Sequence, residues 1–114
     1  MRVADAIDRA ENIYKFSTSY NRMIEWLSEL EERIAIELFR SEEKKALNID
    51  SVLTAPDAYA ELYPLYAAMK ATLVEGINDR YNELAPLFDR AYSEYIDHVN
   101  RTRAAQRPVY YKIL

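Results

Sequence analysis

The chain of 114 residues has no cysteine, one glycine and one histidine. Without cysteine, disulfide bonds, thiolate metal sites and a thiol nucleophile are excluded, and a cytosolic protein is the default expectation. A single glycine leaves few positions for positive backbone dihedrals, which excludes an all-β fold rich in hairpin turns and favours a few helices with polar connections. A glycine-rich phosphate loop and a Gly-x-Ser-x-Gly nucleophile elbow are also absent.

Long apolar runs are missing as well. No run approaches the ~18–20 residues that a bilayer-spanning helix needs. Asp5 and Asp8 stand where a signal peptide would carry basic residues. We therefore expect neither membrane anchoring nor secretion by that route. The length and the 50% apolar content fit one compact domain, and we expect residues 1–105 to form a helical bundle and residues 106–114 an extended C-terminal tail.

Charge is divided unevenly along the chain. All 19 acidic residues lie at or before Asp97. Against eleven basic residues in the same stretch, they give residues 1–97 a net charge of −8, whereas residues 98–114 carry +4. Nucleic-acid binding needs clustered lysine and arginine, so it is disfavoured for the acidic body. The basic tail is a weak candidate for phosphate contacts and a better one for docking to protein.

Four segments space their apolar residues by three and four, as amphipathic helices do: 3–15, 20–40, 58–75 and 79–104. Thr18 or Ser19 is the expected cap of the second helix. Gly76 is expected to end the third helix, and a tight turn at 76–79 would make the third and fourth helices antiparallel. The predicted fold class is all-α, an antiparallel bundle of about four helices.

Two regions interrupt this pattern. Residues 41–57 lose the helical period, so we expect an irregular connection and leave open a short strand at 47–53. Pro64 falls either in the first turn of the third helix or one turn further in, and Pro86 is expected to bend the fourth. Leu62, Tyr66 and Ile77 are expected to face inward on the third helix. The expected inward stripes of the second and fourth helices are Met23, Trp26, Leu27, Leu30, Ile34 and Leu38, and Tyr81, Leu84, Phe88, Tyr92, Tyr95 and Val99. The predicted core comprises Ile7, Trp26, Leu27, Leu30, Ile34, Leu65, Met69, Leu73, Leu84, Phe88 and Tyr92.

Candidate chemistry is sparse. His98 has Glu94 and Thr102 one helical turn away, and we interpret the Glu94–His98 pair as an exposed electrostatic contact. The Glu-x-x-His spacing of di-iron bundles does not occur. Runs of carboxylates are typical of solvated faces, and we interpret Glu29, Glu31, Glu32, Glu42 and Glu43 in this way. The sequence thus predicts no catalytic residue, no metal ligand and no cofactor, and it argues against an enzyme.

The aromatic content points to an interface. Ten tyrosines against three phenylalanines exceed what a small helical core needs, and an interface accommodates the surplus. In the tail, Pro108 ends the preceding helix, and the residues after it favour a strand without a predicted partner in their own chain. We predict that the tail docks onto another chain through Arg107, Val109, Tyr110, Tyr111, Lys112 and Ile113.

Several segments, in this order, resemble the small head–tail connector (adaptor) proteins of tailed bacteriophages and prophages. They are VADAIDRA from Val3, WLSELEERIA from Trp26, AELYPLY from Ala60, and GINDRYN from Gly76 with the Leu87, Phe88 and Tyr92 that follow. Together they cover most of residues 3–103. Each is a helix-packing segment, so the resemblance rests on their order and spacing. Pro86 and the residues beyond Arg103 depart from the family pattern.

The resemblance implies a virion structural protein at the head–tail interface, assembled in the cytoplasm of a bacterial host. Its implied partners are further copies of itself in a ring of about a dozen, the portal protein above and the next tail-side connector protein below. DNA would pass through the channel without sequence-specific binding, and an acidic body suits such passage because a basic lumen would hold the phosphates. The alternative from the residues alone is a small helical interaction module or dimeric regulator of a bacterial host.

Overall fold

The computed structural model describes residues 1–42 and 46–106, and it confirms the all-helical fold. One short 3-10 helix, Asp57–Tyr59, precedes the third α-helix. The third helix packs against each of the other three, and its most extensive contacts are with the fourth. The four α-helices are α1 (Val3–Ile13), α2 (Tyr20–Phe39), α3 (Leu62–Val74) and α4 (Asn78–Gln106).

The start of α2 settles the choice between the two predicted caps. Ser19 Oγ accepts a hydrogen bond from the backbone N–H of Arg22 at 3.3 Å, which satisfies one of the unpaired donors of the first turn. Thr18 instead donates from Oγ1 to the carboxylate of Glu75, 3.5 Å away. Ser19 is therefore the N-cap, and Thr18 helps to tie the α1–α2 connection to the end of α3.

The predicted helix–helix turn forms around the only glycine. Gly76 has φ +74°, in the left-handed region that glycine enters without strain. The Ile77 N–H donates to the Thr72 carbonyl at 3.0 Å, and the Gly76 N–H donates to the Leu73 carbonyl at 3.3 Å. These bonds satisfy carbonyls at the end of α3. Because α4 begins at Asn78, the connection is short and the two helices are antiparallel.

The predicted inward faces of α1, α2 and α4 are confirmed. Ile7 is 2% exposed in α1, and all six apolar residues on the predicted stripe of α2 are buried. In α4, Tyr81 is half-buried and the rest of the predicted stripe is buried. The buried stripe residues of α2 and α4 are Met23, Trp26, Leu27, Leu30, Ile34, Leu38, Leu84, Phe88, Tyr92, Tyr95 and Val99.

The predicted inward face of α3 is partly wrong. Leu62 and Met69 are buried, but Leu73 is 51% exposed and Ile77, just beyond the helix, is 40% exposed. Leu65 and Tyr66 are only half-buried. Because three helices surround α3, most of its circumference is covered and small side chains allow close approach. The further residues of α3 that are buried against the neighbouring helices are Tyr63, Pro64, Ala67, Ala68, Ala71 and Thr72.

Helix α3 also starts later than predicted, at Leu62 and not near residue 58. This start places Pro64 in the first turn, where an N–H would have no partner inside the helix. Pro86 lies inside α4 and cannot donate the hydrogen bond that an ordinary residue would make there. The strand left open at 47–53 does not form in the described residues, which contain only an isolated antiparallel bridge between Arg2 and Val52.

Candidate assembly surface

The start of the chain fixes one side of the connection between α2 and α3. The Val3 N–H donates to the Ser51 carbonyl at 3.0 Å, and the Leu53 N–H donates to the Met1 carbonyl at 2.8 Å. These two bonds flank the Arg2–Val52 bridge. In such an antiparallel pair, the flanking residues make the hydrogen bonds and the N–H and C=O of Val52 point to the opposite edge.

The other side of the connection is fixed by a carboxylate on α2. Glu31 Oε2 accepts from the Thr54 backbone N–H at 3.0 Å and from Thr54 Oγ1 at 2.6 Å. Glu31 Oε1 accepts from the Tyr63 hydroxyl at 2.5 Å, and that hydroxyl in turn accepts from the Ala55 N–H at 2.9 Å. Burial and the Glu31 carboxylate raise the pKa of Tyr63 well above its ordinary value. Tyr63 therefore stays neutral and holds α2, α3 and the connection together.

A groove of about 510 Å³ lies between α2 and the connection, and we call it the α2 groove. Its lining is mostly apolar, with the carboxyl-bearing Glu31 and Glu32 on the α2 side. Val52, 71% exposed, lies along its edge, and Phe39, 44% exposed, lies at the end of α2. The lining residues are Ser28, Glu31, Glu32, Ile34, Ala35, Phe39, Ser41, Ala46, Leu47, Val52 and Thr54.

A second exposed apolar surface, which we call the turn cluster, lies where α3 meets α4. It consists of Leu73, Val74 and Ile77, which are 51%, 52% and 40% exposed. Glu75 fixes this turn, because its carboxylate accepts from the Tyr14 hydroxyl at 3.0 Å and from the backbone N–H and the hydroxyl of Ser17. The apolar side chains are thus held on a well-anchored turn.

The α2 groove and the turn cluster are separate surfaces. Tyr63, at the start of α3, contacts Glu31 of the groove wall, whereas Leu73 and Val74 lie in the last turn of the same helix. At 1.5 Å per residue, the two ends of α3 are roughly 16 Å apart. The chain therefore presents two different apolar surfaces at different ends of its central helix.

His98 is placed differently from the prediction. Its side chain is half-buried, and the imidazole stacks on the Tyr59 ring with centroids 4.5 Å apart. No hydrogen bond or ion pair joins it to Glu94 within the described part of the chain. The expected exposed electrostatic contact is thus wrong. The reason is that the short 3-10 helix brings an aromatic ring over this face of α4 and offers the imidazole a stacking partner.

The predicted docking residues of the tail lie outside the described residues: Arg107, Val109, Tyr110, Tyr111, Lys112 and Ile113. Within residues 1–42 and 46–106, no group of three or more histidine, aspartate or glutamate side chains is arranged to hold a metal ion. None of the described helices is long and apolar enough to cross a membrane. Sequence reasoning missed the α2 groove and the turn cluster, since both depend on contacts between residues distant in the chain.

Comparison with known proteins returns no match to a family model, to a curated protein or to a solved structure.

Proposed function

We propose that this protein is a structural subunit of the head–tail connector of a tailed bacteriophage, assembling into a ring below the portal and continuing the DNA channel. The observation that carries the proposal is the pair of different apolar surfaces at the two ends of α3. A subunit that joins two neighbours through two different surfaces makes heterologous contacts, and these produce a ring when the rotation closes. The resemblance of the helix-packing segments to connector proteins supports the same assignment.

The distribution of charge fits a DNA conduit. The carboxylates of Asp5, Asp8 and Glu11 on α1 are exposed, as are those of Glu25 and Glu29 on α2. A wall with such a surface repels phosphates and lets DNA pass, whereas clustered lysine and arginine would retain it. The role is structural and not catalytic: the two tyrosines whose pKa is raised most, Tyr63 and Tyr92, each donate a hydrogen bond to a carboxylate of α2 and so join helices.

Sedimentation velocity of the intact chain over a wide range of concentrations tests the proposal. We expect a single large species of about a dozen copies or a ladder of intermediates that grows with concentration. A strict monomer at high concentration would contradict it. A strict dimer would do the same and would favour the alternative, a small dimeric regulator of a bacterial host.

A further inference from the structure

We propose that the α2 groove binds the C-terminal segment, residues 107–114, of a neighbouring copy, and that the segment adds a strand to the free edge at Val52. This inference rests on the proposed function, because it names the contact that would join successive subunits. Four observations on the groove, its edge and the end of α4 support it.

The first observation is an unused backbone edge. Val52 is extended, and its N–H and C=O point away from the start of the chain, which is bonded through Ser51 and Leu53. Among the described residues, no backbone hydrogen bond uses either group of Val52. An exposed edge of this kind is a template for an added strand.

The second observation is a match of length. The groove lining follows α2 from Ser28 to Phe39, which at 1.5 Å per residue is roughly 16 Å. An extended segment from Val109 to Ile113 spans about 13 Å at ~3.3 Å per residue. The five residues that favour a strand therefore have the length that the groove can hold.

The third observation is chemical complementarity. The tail alternates apolar Val109, Tyr111 and Ile113 with Tyr110 and Lys112, so an added strand would place three apolar side chains on one face. The groove offers an apolar lining for that face. The segment 107–114 contains Arg107 and Lys112 and no acidic side chain, whereas residues 1–97 carry −8, so attraction between copies would speed their encounter.

The fourth observation is the relative direction of α2 and α4. It indicates that the tail in the groove comes from a neighbouring copy and not from the same chain. The Arg33 guanidinium lies over the Tyr92 ring at 4.6 Å, and that of Arg103 over the Phe39 ring at 5.5 Å, so α2 and α4 run in the same direction. Helix α4 thus ends past the Phe39 end of the groove and points away from Ser28.

To enter its own groove, the tail would have to reverse direction within a few residues. The segment after Gln106 contains no glycine, and Pro108 favours an extended conformation at Arg107. The tail of a neighbouring copy needs no such reversal. Because the groove and the tail are different surfaces, the contact is heterologous and can continue from one copy to the next.

Disulfide cross-linking tests this proposal, since the natural chain has no cysteine to interfere. One full-length chain carries Val52→Cys, and a second, affinity-tagged full-length chain carries Val109→Cys or Tyr111→Cys. The mixed chains are oxidised and their heterodimers quantified. The control replaces Val52→Cys by Leu87→Cys, which is also exposed but lies on α4, outside both the α2 groove and the turn cluster.

We expect at least a tenfold higher yield of heterodimer with Val52→Cys than with Leu87→Cys. Equal yields, or no heterodimer with either, would overturn the proposal. A chain carrying both Val52→Cys and Tyr111→Cys tests the competing occupant. If this chain forms mainly an intramolecular cross-link at every concentration, its own tail occupies the groove and the proposal is wrong.

Two substitutions test whether the tail pairs with the backbone at Val52. Val52→Pro removes the N–H of this residue, and Val52→Thr keeps it. We expect Val52→Pro to raise the concentration needed for assembly at least tenfold and Val52→Thr to leave it nearly unchanged. Circular dichroism checks that both variants keep their helices. If folded Val52→Pro assembles as readily as Val52→Thr, strand addition at this edge is refuted.

Sedimentation of the unmodified chain distinguishes a failure of the groove proposal from a failure of the connector proposal. If the chain assembles without a preferential Val52 cross-link, the groove proposal fails and the connector proposal stands. If the unmodified chain remains a monomer, the connector proposal fails.

Discussion

The Tyr63 hydroxyl donates to Glu31 and at the same time accepts from the backbone N–H of Ala55. One buried oxygen thereby joins α3 to α2 and to the connection that forms the far side of the α2 groove. Glu31 also accepts hydrogen bonds from the backbone N–H and the hydroxyl of Thr54, which attach the connection to α2 a second time. The shape of the groove therefore depends on this pair of residues, 32 positions apart in the chain.

Replacing Tyr63 with phenylalanine leaves the Ala55 N–H without its acceptor and removes a donor to Glu31. We expect Tyr63→Phe to lower the free energy of unfolding by about 1–3 kcal/mol, as measured by urea denaturation. The matched control is Tyr20→Phe, since the Tyr20 side chain is 48% exposed and water can replace its hydroxyl bond. Equal effects of the two substitutions would show that the Tyr63 hydroxyl contributes nothing specific.

Stability should also fall at alkaline pH. Burial and the hydrogen bond to Glu37 raise the pKa of Tyr92 to about 12, whereas an unfolded tyrosine ionises near ~10. Between these values the unfolded chain has lost the proton that the folded chain retains, so rising pH favours unfolding. The contribution of Tyr92 to stability is complete below pH ~10 and is lost as the pH rises toward about 12.

Urea denaturation at several pH values between ~9 and ~11 measures this loss. Tyr92→Phe should make the decline shallower by up to ~1.4 kcal/mol per pH unit, because one shifted group no longer titrates. An identical decline in the variant and the natural chain would mean that Tyr92 is not protected from ionisation by folding.

Two leucines that the sequence alone places inward provide a direct test of the core. Leu30 is 1% exposed and Leu73 is 51% exposed. Leu30→Ala should cost about 2–5 kcal/mol of unfolding free energy, because it opens a cavity. Leu73→Ala should cost less than about 0.5 kcal/mol. Comparable costs in denaturant titrations would show that the end of α3 is packed differently from this description.

The acidic body should not bind duplex DNA. We expect the full-length variant Arg107→Gln/Lys112→Gln, which lacks the two basic residues of the tail, not to retard duplex DNA at micromolar concentration in ~0.15 M salt. The unmodified chain is the control for any weak contact made by the tail. Retardation by the neutralised variant would contradict the passive role proposed for the channel wall.

The sequence predicted the parts of the fold that depend on neighbours along the chain. Helix α2 presents one stripe to the core, so its apolar spacing identified every buried residue of that stripe. The turn at Gly76 was predictable because only glycine enters its conformation readily. By contrast, α3 is covered by three helices, and small residues such as Ala67 and Ala71 carry no periodic apolar signal.

The groove could not be predicted for a related reason. It depends on Glu31 meeting Thr54, 23 positions away, and on residues near 51 pairing with the start of the chain. The prediction of a solvated carboxylate is wrong for Glu31, which accepts three hydrogen bonds. Nothing in the local pattern distinguishes it from the exposed Glu29 on the same helix. The docking segment, in contrast, stays a prediction, based on Pro108, on its strand-forming residues and on its change of charge.

The central claim is that the tail joins copies and does not belong to the core of one copy. Deleting residues 106–114 and measuring the sedimentation mass beside the helical circular-dichroism signal and the melting temperature tests it most directly. The account predicts an intact helical signal, a nearly unchanged melting temperature and a mass that falls to that of a single chain. A truncated chain that unfolds, or one that assembles as well as the intact chain of 13.4 kDa, would contradict it.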